Sequence, residues 1–107
     1  MPHFLVQASY TTQSTAAMIK NPQDRASAIR PMIERMGGKL HGVWFAFGKY
    51  DVVAIAEVPD NVSSAALGLA IGASGAMSAY RTTPLLTTAE GVEAMKKAAS
   101  IGYQAPK

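Results

Sequence analysis

Two carboxylates in an apolar stretch are the residues of this sequence that could do chemistry. Asp51 and Glu57 lie six residues apart in a run that is otherwise mostly apolar. Strand alternation places both on one face together with Trp44. A carboxylate beside an aromatic ring in an apolar cleft can have a raised pKa and transfer protons. We favour the structural alternative, in which Asp51 caps a hairpin or pairs with Arg81 and Glu57 meets a surface lysine.

The sequence has only two histidines, His3 and His41. Strand alternation places His41 on the face opposite Glu57, beside Tyr50. His41 could act as an acid or a base, although a satisfied or partly exposed histidine is the commoner case. No histidine–carboxylate cluster, phosphate loop, dinucleotide motif or nucleophile elbow is evident. We therefore expect no metal site and no cofactor.

A helix strip without side chains could border a ligand pocket. Gly68 and Gly72 lie four residues apart, so on a helix they form a flat strip. We expect a pocket between Trp44 and this strip, either within one chain or between two copies. The candidate pocket residues are aromatic, titratable or cationic: Trp44, Tyr50, Asp51, Glu57, His41 and Arg81.

Composition predicts one globular domain, residues 1–107, with 49% apolar and 16% charged residues. So few charges suggest that another subunit or a ligand covers part of the surface. The net charge is +3, but the basic residues are scattered, so we expect no nucleic-acid partner. No apolar run approaches the roughly 18 residues of a membrane span. Cysteine is absent and no leader pattern is evident, which makes the cytoplasm the expected compartment.

The order of predicted elements is β-α-β-β-α-β with a further helix. The predicted strands are His3–Tyr10, Leu40–Phe47, Tyr50–Val58 and Met77–Leu86. The predicted helices are Ser14–Lys20, a helix from a cap at Asn21 or Asp24 to about Met36, Val62–Ser74, and Ala89–Ser100 after a cap at Thr88. Pro31 predicts a kink or a late helix start. This order predicts an α+β, ferredoxin-like fold with a four-stranded antiparallel sheet and helices on one face.

The middle strands read as a hairpin with a two-residue loop at Gly48-Lys49. A Gly-first loop is typical of a type II′ turn, which requires positive φ at Gly48. Such a turn places Phe47 opposite Tyr50.

Both faces of this hairpin are largely apolar. The register places His41 on one face and Leu40 on the other. Helices of a βαββαβ chain cover only one side of the sheet. An apolar group would remain on the other side: Leu5, Trp44, Val53 and Ile55. We therefore expect a homodimer that joins two sheets face to face, unless the C-terminal helix covers this side within its own chain.

Several segments resemble the GYD domain family, named for its Gly-x-Tyr-Asp hairpin. They are Gly37–Leu40, Phe47–Ile55, Glu57–Asp60 and Arg81–Thr83, and the likeness covers about residues 3–95. The resemblance implies a ferredoxin-like fold of the dimeric α+β-barrel type. It implies an architecture rather than a reaction, and leaves the C-terminal helix and tail, residues 88–107, as an addition to the core.

Three functions are compatible with this sequence. The first is a homo-oligomer that binds a small, mostly apolar ligand in a cavity beside the sheet. The second is an enzyme without metal or cofactor, such as an isomerase or a monooxygenase acting on an activated aromatic molecule, which rests on fold analogy. The third is a structural or partner-binding subunit. A titratable side chain in an enclosed pocket would favour the enzyme, and a cavity too small for any ligand would favour the subunit.

Overall fold

The computed structural model describes all 107 residues and contains four strands and four helices. The strands are β1 (His3–Tyr10), β2 (Lys39–Phe45), β3 (Val52–Glu57) and β4 (Met77–Leu85). The helices are α1 (Thr12–Lys20), α2 (Arg25–Arg35), α3 (Asn61–Ala73) and α4 (Thr88–Ala99). The sheet order is β2-β3-β1-β4, with all neighbours antiparallel. This is the predicted α+β, ferredoxin-like arrangement.

Polar caps set where the helices begin. Asp24 accepts a hydrogen bond from the N–H of Ala26, and Asp60 caps α3 in the same way, as predicted. The last cap is Thr87, one residue before the predicted Thr88. Helix α2 starts at its cap and contains Pro31, so of the two predicted outcomes there, a kink or a late start, the late start does not occur.

The loop between β2 and β3 is wider than predicted. The ladder ends at the pair Phe45–Val52, which leaves six residues, Ala46–Asp51, to connect the strands. Gly48 does not have positive φ, so the prediction of a type II′ turn was wrong. Asp51 in this loop binds both neighbouring segments: its N–H donates to Ala8 O, its carboxylate accepts from the N–H of Tyr10, and its carbonyl accepts from the N–H of Ala46.

A β-bulge at His41 reverses the faces that were predicted for the first residues of β2. Gly42 lies opposite Ile55 as the predicted register requires, but Leu40 lies opposite Ala56. One residue, His41, is therefore extra. The bulge turns Leu40 into the core beneath the helices and brings His41 to the opposite face, the reverse of the alternation argument.

The core lies between the sheet and helices α2 and α3. Its centre is Ile33, which is 1% exposed and packs with Leu40 and Leu67. Part of the predicted glycine strip belongs to this packing, because a Cβ at Gly68 would lie 3.2 Å from the Tyr80 ring. Helix α3 therefore approaches β4 closely at Gly68, which has no side chain.

Helix α4 extends away from the body. None of its residues is buried, and Val92 and Met95 on its apolar stripe are 48% and 71% exposed. The radius of gyration is 17.1 Å, against about 13 Å for a compact chain of this length. The C-terminal helix therefore does not cover the sheet within its own chain. None of the helices has the length and apolar content that crossing a membrane requires.

Candidate functional site

The sheet face that turns away from α1, α2 and α3 is uncovered; we call it the open face. Cross-strand pairs place Leu5 opposite Ile55 and Trp44 opposite Val53, so these apolar side chains lie together. Trp44 is 53% exposed, and its ring lies so close to Gly42 that a Cβ there would be 2.7 Å away. The predicted apolar group therefore forms one continuous surface.

One end of the open face holds a cluster of His3, His41 and Glu57. His41 Nε2 lies 2.7 Å from Glu57 Oε2, and His3 Nε2 lies 3.7 Å from Glu57 Oε1. The two imidazole rings are stacked, with centroids 5.4 Å apart and planes 19° from parallel. All three side chains are partly accessible: 34%, 35% and 19% for His3, His41 and Glu57. Two imidazoles therefore converge on one carboxylate at the protein surface.

Three neighbouring strands bring this cluster together. Glu57 ends β3, and His3 begins β1 directly opposite it. His41 reaches the same place only because of the bulge in β2. The prediction that no histidine–carboxylate cluster forms was wrong, because His3 and Glu57 are 54 residues apart (57 − 3) and meet only through sheet pairing.

The electrostatics of the cluster favour an ionised Glu57. The hydrogen bond from His41, together with the positive charge of both histidines nearby, lowers the pKa of Glu57 from its usual value. The cluster therefore shifts the pKa of Glu57 away from the raised value that a proton-donating carboxyl group would need. Glu57 was expected to meet a surface lysine, but its partners are His3 and His41.

The remaining predicted residues lie apart from this cluster. Asp51 binds the backbone of β1 and forms no salt bridge with Arg81, which lies opposite Gln7 on β4. Tyr50 lies in the hairpin loop, with Lys49 Nζ 5.9 Å from its ring centre. The carboxylate of Asp51 thus contacts the backbone of β1 rather than Arg81.

The predicted pocket residues line none of the three larger pockets, although one of these, of about 470 Å³, includes His3. One of about 440 Å³ lies between α1, the start of α2 and the sheet, where Tyr10 and Arg25 meet. Burial raises the pKa of Tyr10, an effect that Arg25 opposes. A second, of about 490 Å³, lies beside Gly68 on the helix side of the sheet. Trp44 is on the opposite side, so within one chain it does not border a pocket with the glycine strip.

Little in the residue pattern indicated the Tyr10–Arg25 pocket. Tyr10 was recognisable as an inward-facing strand residue, but Arg25 was one of several scattered basic residues. The helix start at Asp24 was the available sign, because a helix that begins there brings Arg25 to the end of β1.

Comparison with known proteins supports the fold and the family. The crystal structure of MtbAldR superimposes with a TM-score of 0.57 at 13% identity, over 80% of this chain and 53% of that one. This chain thus spans about half of that protein, and the likeness shows the fold alone. No curated protein matches. The family model described as the GYD domain matches residues 4–99, nearly the whole chain. The chain therefore belongs to the GYD domain family.

Proposed function

We propose that this domain is a homodimer whose two open faces meet and enclose a site for a small, mostly apolar molecule. The observation that carries the proposal is the uncovered apolar centre of the open face. In a lone chain Trp44 is half exposed, and no helix of the same chain covers it. A surface of this kind is typical of an interaction site.

The energy of covering this face is large enough for a dimer. Trp44 is exposed and Leu5, Val53 and Ile55 are partly exposed. Burial of about 400 Å² of apolar surface over both copies, at about 25 cal/mol per Å², would give about 10 kcal/mol before association costs. A second copy offers the same patch, so one two-fold axis covers both at once. A second copy is therefore the occupant to which we commit.

Helix α4 provides a second argument for a partner of the same kind. Its exposed stripe, with Val92 and Met95, continues to Ile101 and Tyr103, which are 72% and 78% exposed. In a dimer, this extended helix can pack on the second copy. Such packing would account for an elongated chain with only nine buried residues.

The ligand class follows from the chemistry of the open face. Pockets for small molecules are mostly apolar, with a few polar groups that fix orientation. Here the centre is apolar, Gln7 and Arg81 lie across β1 and β4, and the histidine cluster lies at one end. The occupant would be a small apolar molecule with one or two polar groups. A cytoplasmic location remains a prediction from composition.

Light scattering at micromolar concentration tests the dimer. We expect the wild type to be dimeric and Ile55→Lys, which places a charge at the centre of the open face, to be monomeric and folded. Ile19→Lys is the matched control, since Ile19 is 75% exposed on α1, away from this face, and should remain dimeric. A monomeric wild type, or a folded Ile55→Lys that is fully dimeric, would contradict the proposal.

Fluorescence of Trp44, the only tryptophan, tests the ligand site. A panel of small aromatic and aliphatic acids, alcohols and ketones should include compounds that change its emission saturably. The dimer-breaking Ile55→Lys variant should lose this response, whereas Ile19→Lys should keep it. An emission spectrum that no compound in the panel changes would favour the structural subunit instead.

An enzyme is the second candidate, and the His41–Glu57 hydrogen bond favours it. A carboxylate that binds one nitrogen of an imidazole fixes its tautomer and leaves the other nitrogen free to accept a proton, as a general base beside an apolar site would. Turnover of a ligand found in the screen should then fall in His41→Gln, while the dimer remains intact. Unchanged turnover in that variant would exclude His41 as the base.

A further inference from the structure

We propose that His3, His41 and Glu57 bind a divalent first-row transition metal ion. Imidazole nitrogen and carboxylate oxygen are the ligands that zinc, iron, cobalt and nickel share. The three side chains each offer one such atom, and all these atoms lie within 4.8 Å of one another. This site does not depend on the proposed dimer or on its small-molecule ligand.

The ligand atoms lie within 4.8 Å of one another, so coordination requires movements of about 1 Å. Ligand atoms around a tetrahedral zinc are separated by about 3.4 Å, given metal–ligand bonds of about 2.1 Å. His41 Nε2 and Glu57 Oε2 are 2.7 Å apart, slightly closer than this, and His3 Nε2 is 3.7 Å from Glu57 Oε1, slightly farther. An ion between the three side chains would replace the direct His41–Glu57 hydrogen bond with two bonds to metal.

The choice of residues favours a ligand set over an ordinary ion pair. Lys39 is the cross-strand neighbour of Glu57 on β2, yet it forms no salt bridge with the carboxylate. The carboxylate is approached instead by two imidazoles. The Glu57 carboxylate supplies the negative charge that attracts a dication, and the imidazoles supply two nitrogen ligands.

The bulge in β2 is an independent structural indication. A bulge interrupts the strand ladder and is commonly found where a side chain must be re-aimed beside a functional site. Here its effect is to bring His41 onto the face that carries His3 and Glu57. A regular strand would leave only two ligands.

Three protein ligands leave at least one coordination position open. Zinc sites with three protein ligands and an open position are typical of catalysis, whereas structural zinc sites have four ligands. The cluster lies at the end of the apolar open face, and its side chains are accessible to solvent. A bound metal could therefore accept a polar group of a molecule that occupies this face.

Calorimetric titration with Zn²⁺ tests the site on the full chain, purified without a polyhistidine tag and stripped with chelator. We expect saturable binding of one ion per chain in the wild type. His41→Gln and Glu57→Gln should each weaken binding at least tenfold, since removal of even an outer-shell partner costs 10- to 100-fold. Co²⁺ should give a visible absorption spectrum that both variants change.

The matched control is Glu93→Gln, which removes the same charge from an exposed position on α4. It should bind Zn²⁺ as the wild type does. Circular dichroism and light scattering in chelator establish that each variant keeps the fold and oligomeric state of the metal-free protein. Light scattering without metal therefore tests the dimer alone, and the Zn²⁺ titration tests the metal site alone. The failure of one proposal can thus be told from the failure of the other.

Two outcomes would overturn the metal site. One is a wild type that shows no saturable binding with Zn²⁺ up to about 100 μM. The other is an unchanged affinity in both His41→Gln and Glu57→Gln, which would assign the binding to other surface groups.

Discussion

Replacing Gly38 by alanine should strongly destabilise the fold, because two backbone segments approach this residue closely. Gly38 lies between the end of α2 and the start of β2. A Cβ here would lie closer than 3.0 Å to the backbone oxygen of Glu57 and 3.2 Å from that of Ile33. Neither atom can rotate away, so the backbone itself must move.

The magnitude follows from two costs and one gain. Overpacking of this kind costs about 1–3 kcal/mol. Movement of Gly38 also weakens the hydrogen bond from its N–H to Ile33 O, 3.0 Å long, which is worth about 1 kcal/mol. Alanine has less conformational entropy than glycine in the unfolded chain, which raises the free energy of unfolding by about 0.4–1 kcal/mol. The free energy of unfolding should therefore fall by about 2–3 kcal/mol, or roughly 10–20 °C in Tm.

Urea unfolding followed by circular dichroism at one fixed protein concentration measures this loss. Gly72→Ala is the matched control, because open space surrounds Gly72 in α3. Alanine is the better helix former, so this variant should gain about 0.5–1 kcal/mol. If Gly38→Ala were within 0.5 kcal/mol of the wild type, the close approach between α2 and β3 would not exist as described.

Two further predictions concern side chains that bind the backbone or each other. Asp51→Ala should lower the free energy of unfolding by about 1–3 kcal/mol, because it leaves the N–H of Tyr10 without its partner; an equal loss in Arg81→Ala would instead indicate an ion pair. The lowered pKa values of Glu57, Asp60 and Glu90 stabilise the fold above about pH 4.5, and this stability is lost as pH falls through the folded pKa values. Urea titrations from pH 6 to 3 should therefore show a steeper decline in the wild type than in Glu90→Gln, and parallel curves would contradict the assignment.

The fold was predictable because local patterns agreed with it. Alternation over His3–Tyr10 predicted β1 to the residue, and the register of the hairpin was correct at Trp44 opposite Val53. Asp24 and Asp60 marked two helix starts, because a side-chain oxygen that accepts a backbone N–H depends only on neighbouring residues. Local hydrogen bonding and periodicity are readable from one sequence.

The histidine cluster could not be predicted, for two physical reasons. Strict alternation has no place for an extra residue, and since both faces of β2 are apolar, nothing in the pattern marked His41 as a bulge. The meeting of His3 and Glu57 depends on the pairing of β1 with β3, which is decided by packing across the whole sheet. The extended position of α4 could not be predicted either. Its apolar stripe predicts that the helix packs on another surface, but it does not identify that surface.

The bulge at His41 has a consequence for how this site can change during evolution. If this one residue were deleted, Leu40 opposite Ala56 and Gly42 opposite Ile55 would follow one another in an unbroken ladder. The core and every cross-strand pair could be kept, while one of the two imidazoles would disappear. A single-codon insertion or deletion can therefore add or remove the cluster independently of the fold, so relatives with the same architecture can differ by one residue in whether they have it.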